Sequence, residues 1–208
     1  MRDDDNLKER VRHSIGASIS VKQALLDDEN LVASIAQVSE LLTTAVRNGS
    51  KPILFGNGGS AGDAQHIAAE FVGRFAFNRP PLPALALSVN TSCVTAIGND
   101  YGFDLVFSRQ LEALGQRGDV AIGISTSGNS ANVLKGVEVA KQKGLITVAL
   151  TGAHGGKLKH AVDYWLGAPS DETPRIQECH ILIGHIISEL VEEAIFEKVR
   201  VHAKSGVS

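Results

Sequence analysis

The chain has 208 residues, of which 43% are hydrophobic and 21% are charged, and its formal net charge is −3. This length suits one α/β domain, so we expect a single domain over residues 1–208. The charge excludes the basic excess typical of nucleic-acid-binding proteins, and no apolar run reaches the roughly 18 residues of a membrane span. Two cysteines outside any CxxC spacing and a polar N-terminus without an export signal favour a cytoplasmic protein.

Hydrophobic periodicity predicts the order of the elements. Helical spacing from Leu7 to Asn48, with a break near Asp28, predicts two helices within residues 1–50. Five short apolar runs then alternate with helical segments, at 51–56, 82–88, 119–125, 145–152 and 162–168. They predict an α/β core over 51–170 with a five-stranded parallel sheet and helices on both of its faces.

A long helix is predicted at 174–200, and its apolar stripe is broad. Such breadth indicates burial on more than one side. Packing against another subunit and packing wholly within the chain are both consistent with this pattern.

The first predicted strand ends in the loop GNGGSA, residues 56–61. This loop matches the dinucleotide fingerprint G-x-G-x-x-A, but no carboxylate ends the second strand to hold ribose hydroxyls. A Walker A loop is excluded because Asp63, and not a lysine, follows Gly62. Glycines before a helix also bind other oxygen-rich anions, which favours a binding loop. A simpler alternative to a binding loop is a turn in which Ser60 is the helix N-cap. The candidate substrate-binding residues here are Asn57, Gly58, Gly59 and Ser60.

A second polar loop follows the third predicted strand. Its hydroxyl side chains crowd around Gly128 just before a helix, which predicts a phosphate site without a positive charge. A plain N-cap at Asn129 or Ser130 would not need this cluster. Both loops face the carboxyl edge of the sheet, so we expect phosphate at 125–130 and sugar hydroxyls near 57–60. The candidate phosphate ligands are Ser125, Thr126, Ser127 and Ser130.

Potential metal and acid/base residues lie on two helices. His66 and Glu70 are four residues apart on one helix face, where they form either an ordinary surface pair or part of a metal site. The last helix carries His180 and His185, and periodicity alone does not choose between these two histidines.

Four stretches of the chain, taken together, resemble the sugar isomerase (SIS) domain family and, within it, the phosphoheptose isomerases. They are GNGGSAGDAQHIAAEFVGRF, AIGNDYG, GISTSGNSANV and RIQECHILIGHIISELVEE. The serine loop is common to SIS domains and implies only phosphosugar binding. The combination of His66, Glu70, Gln177 and His185 is much more specific, and it is the part that resembles phosphoheptose isomerases.

This resemblance implies a three-layer αβα sandwich with a flavodoxin-like sheet, a homotetramer, and active sites built from more than one subunit. It implies conversion of sedoheptulose 7-phosphate to D-glycero-D-manno-heptose 7-phosphate through an enediolate, the first step of bacterial heptose synthesis. Glu70 would be the carbon base and His185 the second acid/base. One zinc per subunit would be held by His66, Glu70, Gln177 and His185. The other substrate-binding residues that the resemblance implies are Arg74, Asn99, Asp100 and Gln177.

Two alternatives remain from the sequence. Some SIS-domain proteins are non-enzymatic, such as a tetramer that associates with the bacterial replication initiator, and these lack the residues that match Glu70 and His185. Both residues are present here, which favours an enzyme. An isomerase of another phosphosugar is the second alternative, and residues 99–104 and 170–177 would discriminate it.

Overall fold

The computed structural model describes residues 2–205, and the surroundings of side chains over residues 6–196. The helices are α1 (Arg2–Asp27), α2 (Glu29–Arg47), α3 (Gly59–Val72), α4 (Thr91–Tyr101), α5 (Ser108–Leu114), α6 (Ala131–Gln142) and α7 (Thr173–Ser205). The strands are β1 (Pro52–Gly56), β2 (Leu85–Ala86), β3 (Val120–Ile124), β4 (Ile146–Thr151) and β5 (Tyr164–Gly167).

All five strands form one parallel sheet in the order β2-β1-β3-β4-β5. In its register, Leu54 of β1 lies beside Ile122 of β3, which lies beside Val148 of β4. The predicted five-stranded parallel sheet and its flavodoxin-like order are confirmed. Because the chain reverses its direction of winding between β1 and β3, the loops after these two strands flank a crevice at the carboxyl edge.

Helices cover both faces of the sheet, which gives the predicted three layers. Alternate strand residues such as Leu54 and Ile122 join the core formed with α2, α3 and α7. Their neighbours Ile53 and Phe55 join the core on the opposite face, formed with α5 and α6. Burial on both faces explains why the central strands are continuously apolar in sequence.

Strand β2 is shorter than the predicted run at 82–88. Pro81 and Pro83 lie just before it, and proline has no backbone N–H to donate to a neighbouring strand. Since β2 is at the edge of the sheet, the prolines are tolerated there but limit the pairing to Leu85 and Ala86.

The predicted break between the N-terminal helices lies at Asp28, whose side chain accepts hydrogen bonds from the backbone N–H groups of Asn30 and Leu31. This is an N-cap for α2. Among the described residues of α1, five large apolar side chains remain more than half exposed, and four of them recur every fourth residue, namely Leu7, Val11, Ile15 and Ile19. We call these four residues the α1 stripe. The described residues leave this stripe exposed, although its periodicity is that of a packed helix.

Helix α7 confirms the predicted long helix, and its backbone departs from helical geometry at Phe196 (φ −117°, ψ 21°). One face, with Ile183 and Ile187, is buried in the core. Leu190 is 39% exposed and lines a groove shared with α1 and α2. None of the helices in the described part of the chain combines the length and apolar character that a membrane span requires.

His180 of α7 gives the fold a pH dependence that can be measured. Its ring is fully buried, and Nε2 lies 3.0 Å from the carbonyl oxygen of Thr151, to which the neutral ring donates. Burial lowers the pKa of His180 to about 4, although the hydrogen bond acts in the opposite direction. The unfolded chain, with a histidine pKa of about 6.5, therefore binds more protons between pH 6.5 and 4, and stability falls as the pH decreases through this window.

We expect the stability advantage of the wild type over His180→Gln to shrink by about 2 kcal/mol between pH 7 and pH 5. Urea unfolding of both proteins at the two pH values measures this difference. The comparison cancels the contributions of all other titrating groups, which the two proteins share. An advantage that stays constant with pH would contradict a neutral, buried His180.

Candidate active site

The glycine loop after β1 leads directly into α3. Gly58 has a φ of 54° and occupies the N-cap position, and α3 begins at Gly59. Ser60 is therefore inside the first turn and is not the N-cap, so the simpler alternative considered for this serine is wrong. The positive φ at Gly58 is one that glycine adopts without steric cost.

A reciprocal pair of amides joins the two polar loops. Asn57 Nδ2 donates to Asn132 Oδ1 and Asn132 Nδ2 donates to Asn57 Oδ1, each at 2.9 Å. Asn132 is only 4% exposed and lies in the first turn of α6. The pair spans the crevice and fixes the spacing of the loops. The sequence pattern does not reveal Asn132, because its proximity to Asn57 depends on the strand order.

The serine loop presents its hydroxyls around the start of α6. The Oγ atoms of Ser125 and Ser130 lie 2.9 Å apart. Ser130 occupies the N-cap position, but its side chain makes no capping hydrogen bond. Ser127 Oγ accepts a hydrogen bond from the N–H of Asn129 at 3.2 Å, which leaves its own proton available to a ligand. This arrangement offers several donors to one anion.

A second cluster brings α3 and α7 together. His66 Nε2 lies 3.2 Å from Glu70 Oε1 and 3.0 Å from His185 Nε2. One potential ligand atom from each of the three residues lies within 4.8 Å of the others. We call His66, Glu70 and His185 the triad.

A close approach of the two helices produces the triad. A Cβ atom placed on Gly184 would lie 2.4 Å from Cδ1 of Ile67, so only glycine allows this contact without a shift. The neighbouring residues His66 and His185 are brought together as a result.

The donor set of the triad suits a divalent metal. Two imidazole nitrogens and a carboxylate oxygen converge, and this N/O combination is typical of zinc ligands. The Glu70 side chain is 22% exposed and that of His66 is 51% exposed, so substrate oxygens have access to the cluster. The residues present therefore fit a metal ion.

Comparison with known proteins identifies the family of the chain. The SIS domain family matches residues 20–152. The phosphoheptose isomerase of Aneurinibacillus thermoaerophilus is 57% identical over 198 residues, which cover 95% of this chain and 100% of that protein. The chain belongs to the SIS domain family, among its phosphoheptose isomerases. The phosphoheptose isomerase of Aquifex aeolicus is 53% identical over 190 residues, covering 91% of this chain and 98% of the relative.

Solved structures of phosphoheptose isomerases have the same fold. The enzyme from Neisseria gonorrhoeae matches with a TM-score of 0.85 and 46% identity over 90% of this chain and 99% of that chain. The enzyme from Francisella tularensis also has a TM-score of 0.85, at 36% identity, and the match covers 89% and 97% of the two chains.

The polar loops and the triad lie at different ends of α3. Ser60 and Glu70 are ten residues apart on α3, which corresponds to about 15 Å along the helix axis. The chain therefore assembles the loops at the start of α3 and the triad near its end.

Gln177 lies with the loops. A Cβ atom on Gly59 would be 2.3 Å from Gln177 Nε2, so the amide packs against the glycine loop. Eight residues of α7, or about 12 Å along its axis, separate Gln177 from His185. The membership of Gln177 in a metal ligand set stays a prediction.

Three other candidate residues are exposed. Asn99 Nδ2 donates to Asp100 Oδ1 at 2.8 Å near the end of α4, and Arg74 lies just beyond α3. Among the side chains that the structure describes, no hydrogen bond or ion pair joins these three to the triad or to the serine loop. Their substrate-binding roles stay predictions.

Asp63 is a further carboxyl group near the triad that the sequence pattern does not single out. It lies about one turn before His66 on α3, and its buried Oδ2 has no hydrogen-bond partner among the described residues. Burial raises the pKa of Asp63 to about 6, an effect that His66 partly offsets. In the sequence, Asp63 bears only on the exclusion of a Walker A loop. The one feature that could have indicated its role is its position, as an acidic residue in the first turns of a helix with a buried face.

Proposed function

We propose that this chain converts sedoheptulose 7-phosphate into D-glycero-D-manno-heptose 7-phosphate, the first step of bacterial heptose synthesis. The observation that carries this proposal is the convergence of Glu70 and His185 in the triad. Relatives at 53–57% identity that cover over nine-tenths of the chain are phosphoheptose isomerases, which supports the same substrate.

The reaction needs two proton transfers that the triad can serve. The Glu70 carboxylate takes the proton from C1 of the open-chain ketose, and the electron pair of that bond forms the C1–C2 double bond of an enediolate. The same carboxylate then returns the proton to C2. The His185 imidazole moves a proton between the oxygens on C2 and C1, so that the carbonyl group ends on C1.

We further propose one zinc per subunit, held by His66, Glu70 and His185. Because Gln177 lies about 12 Å along α7 from His185 in the same chain, we propose that a neighbouring subunit supplies Gln177 as the fourth ligand. When bound, zinc would stabilise the negative charge of the enediolate oxygens. The three triad side chains supply the N/O donors that support this assignment.

The serine loop is the proposed phosphate site, and its hydroxyls should control substrate affinity. Ser127→Ala removes the donor that has a free proton, which should cost about 1.5–3 kcal/mol, or a roughly 10- to 150-fold rise in KM. Steady-state kinetics with the phosphorylated ketose measures this change. Ser34→Ala is a matched control, because the Ser34 hydroxyl lies on α2, away from the serine loop, and donates to the carbonyl oxygen of Asn30. An unchanged KM in Ser127→Ala would reject this phosphate site.

We propose a homotetramer in which neighbouring subunits complete each site. The uncovered α1 stripe supports burial by other copies of the chain. The separation of about 15 Å between Ser60 and Glu70 supports a site that combines the loops of one subunit with the triad of another. Light scattering should give four chains of 22.0 kDa each, and a fully active monomer would contradict this assembly.

We place the protein in the cytoplasm, without nucleic-acid or membrane partners. The net charge of −3 offers no basic excess for a nucleic-acid backbone. Cys93 and Cys179 are both free thiols, which suits a reducing compartment.

Incubation of the purified protein with sedoheptulose 7-phosphate tests the reaction directly. We expect NMR signals of an aldose phosphate to appear as the ketose signals decline. If the protein turned over only a different phosphoketose, the proposed substrate would be wrong, although the proposed type of reaction would stand. Binding of the sugar phosphate without any turnover would instead support the non-enzymatic alternative.

A further inference from the structure

Beyond the triad, a buried ion pair joins the segment after α3 to helix α7. Arg79 Nε donates to Glu192 Oε1 at 2.7 Å, and each side chain is only 1% exposed. Neither residue reaches the reacting groups directly. Each of them nevertheless holds backbone that carries or contacts a member of the triad.

Arg79 holds the end of α3. Its Nη2 donates to the carbonyl oxygen of Glu70 at 2.7 Å, and its Nη1 donates to that of Phe71 at 2.8 Å. A helix leaves its last four carbonyl groups without partners inside the helix. The guanidinium therefore satisfies carbonyls in the last turn of α3, and one of these belongs to the proposed carbon base itself.

Glu192 holds the segment that follows α3. Its two carboxylate oxygens accept hydrogen bonds from the N–H groups of Phe75 at 2.8 Å and Ala76 at 2.7 Å. Burial alone would raise the pKa of Glu192, but the hydrogen bonds from Ala76, Phe75 and Arg79 hold that pKa below its ordinary value. The carboxylate is therefore ionised at neutral pH.

This segment also contacts the triad. The ring of Phe75 packs against the imidazole of His185, with 5.7 Å between the ring centroids. Glu192 lies seven residues after His185 on the same helix. The ion pair thus connects the backbone of Glu70, the ring that packs on His185, and the helix that carries His185.

Stability alone does not explain a pair of this kind. Buried ion pairs are often replaced by apolar residues without loss of stability, because the desolvation of two charges offsets their attraction. Here the two charged groups make hydrogen bonds to six different residues besides each other, and these bonds fix directions that apolar packing would leave free.

We infer that Arg79 and Glu192 are positioning residues that set the distance between Glu70 and His185 for metal binding and proton transfer. This inference rests on the proposed function. It differs from that function in assigning a role to a pair that touches neither the substrate nor a metal.

The main test uses the double variant Arg79→Met/Glu192→Gln. It leaves no unpaired buried charge, and the glutamine oxygen still accepts one of the two backbone hydrogen bonds. We expect the dissociation constant for zinc, measured with the metal alone, to rise about 10- to 100-fold. At saturating zinc we expect kcat to fall at least about tenfold while KM stays within about twofold, because the serine loop is held by other contacts.

The chain contains a matched control at the amino edge of the sheet, just before β1 and β3. Asp119 accepts hydrogen bonds from the N–H groups of Lys51 and Gln116 and pairs with Lys51 Nζ at 2.8 Å. Its side chain is also 1% exposed. Lys51→Met/Asp119→Asn therefore removes a similarly built ion pair, and it should leave zinc affinity and kcat unchanged.

Both double variants are compared at matched fractions of folded protein, determined by urea unfolding. Arg79→Lys is a second variant in case the double variant does not fold, because lysine keeps the charge but lacks the planar fork that reaches several acceptors. Loss of zinc affinity and kcat in the Arg79 variants, but not in the Lys51 control, supports the inference. Equal zinc affinity and kcat in all these proteins would overturn it.

The two measurements, zinc affinity and kcat, distinguish a failure of this inference from a failure of the proposed function. A wild type that binds zinc but does not isomerise the ketose would reject the function, and zinc affinity alone would then decide the positioning role. If the wild type isomerises the ketose without zinc, the positioning role is tested by the change in kcat alone. A wild type that does neither would overturn both.

Discussion

Replacing Glu70 by glutamine is expected to lower kcat by about 10²–10⁴-fold without loss of the fold or of sugar phosphate binding. Glutamine keeps the volume of glutamate, but its amide cannot accept the proton from C1. The backbone at this position should not move, since Arg79 holds the carbonyl oxygen of residue 70 and not its side chain. Steady-state kinetics and circular dichroism of the variant measure the two parts of this expectation.

Glu189→Gln provides the comparison for this change. Glu189 is an exposed glutamate on α7, four residues after His185, so its replacement alters the net charge equally. We expect near wild-type kcat in Glu189→Gln. Near wild-type kcat in Glu70→Gln would remove the carbon base from the mechanism.

Replacing His185 by alanine is expected to remove most of the bound metal together with the activity. The imidazole of His185 is the only member of the triad contributed by α7, so its loss leaves two donors on α3. Elemental analysis of protein purified without chelator should find about one zinc per chain in the wild type and much less in the variant. Because imidazole must be neutral to bind metal, zinc occupancy in the wild type should decrease as the pH is lowered.

His180→Gln is the matched control for His185→Ala. His180 lies on the same helix but is buried against the Thr151 carbonyl, so this variant should retain zinc. The reverse result, with zinc lost only from His180→Gln, would place the metal elsewhere. Full activity in exhaustively metal-free wild type would leave Glu70 and His185 as an acid/base pair that needs no metal.

The sequence predicted the sheet well because its information is local. Strands such as β3 and β4 are buried on both faces, so each appears as a continuous apolar run. The edge strand β2 was overestimated, since the same apolar pattern continues where Pro83 prevents pairing. The order of the strands depends on contacts between distant segments, and here the family resemblance supplied it.

The same distinction between local and distant contacts applies to the candidate site. The serine loop was visible because its hydroxyls are almost consecutive in the chain, and His66 and Glu70 were visible because they share one helix face. The Asn57–Asn132 pair joins residues 75 positions apart, and the Arg79–Glu192 pair joins residues 113 positions apart. No periodic pattern reveals such side-chain contacts before the helices are packed.

The exposed α1 stripe illustrates another limit of periodicity. Ile15 and Ile19 have the spacing of a buried face, yet both are more than half exposed in the single chain. An amphipathic pattern shows that a face is apolar, but not whether the same chain or another copy covers it.

The central claim is that a carboxylate base moves a proton between C1 and C2 of the ketose phosphate. Isomerisation of sedoheptulose 7-phosphate in D₂O, followed by NMR, tests it most directly. We expect the wild type to form an aldose phosphate that carries solvent deuterium at C2, and we expect Glu70→Gln to form almost none. Wild-type aldose and recovered ketose that both stay free of solvent deuterium, together with wild-type turnover in Glu70→Gln, would contradict the account, because neither proton exchange nor the carboxylate would then take part.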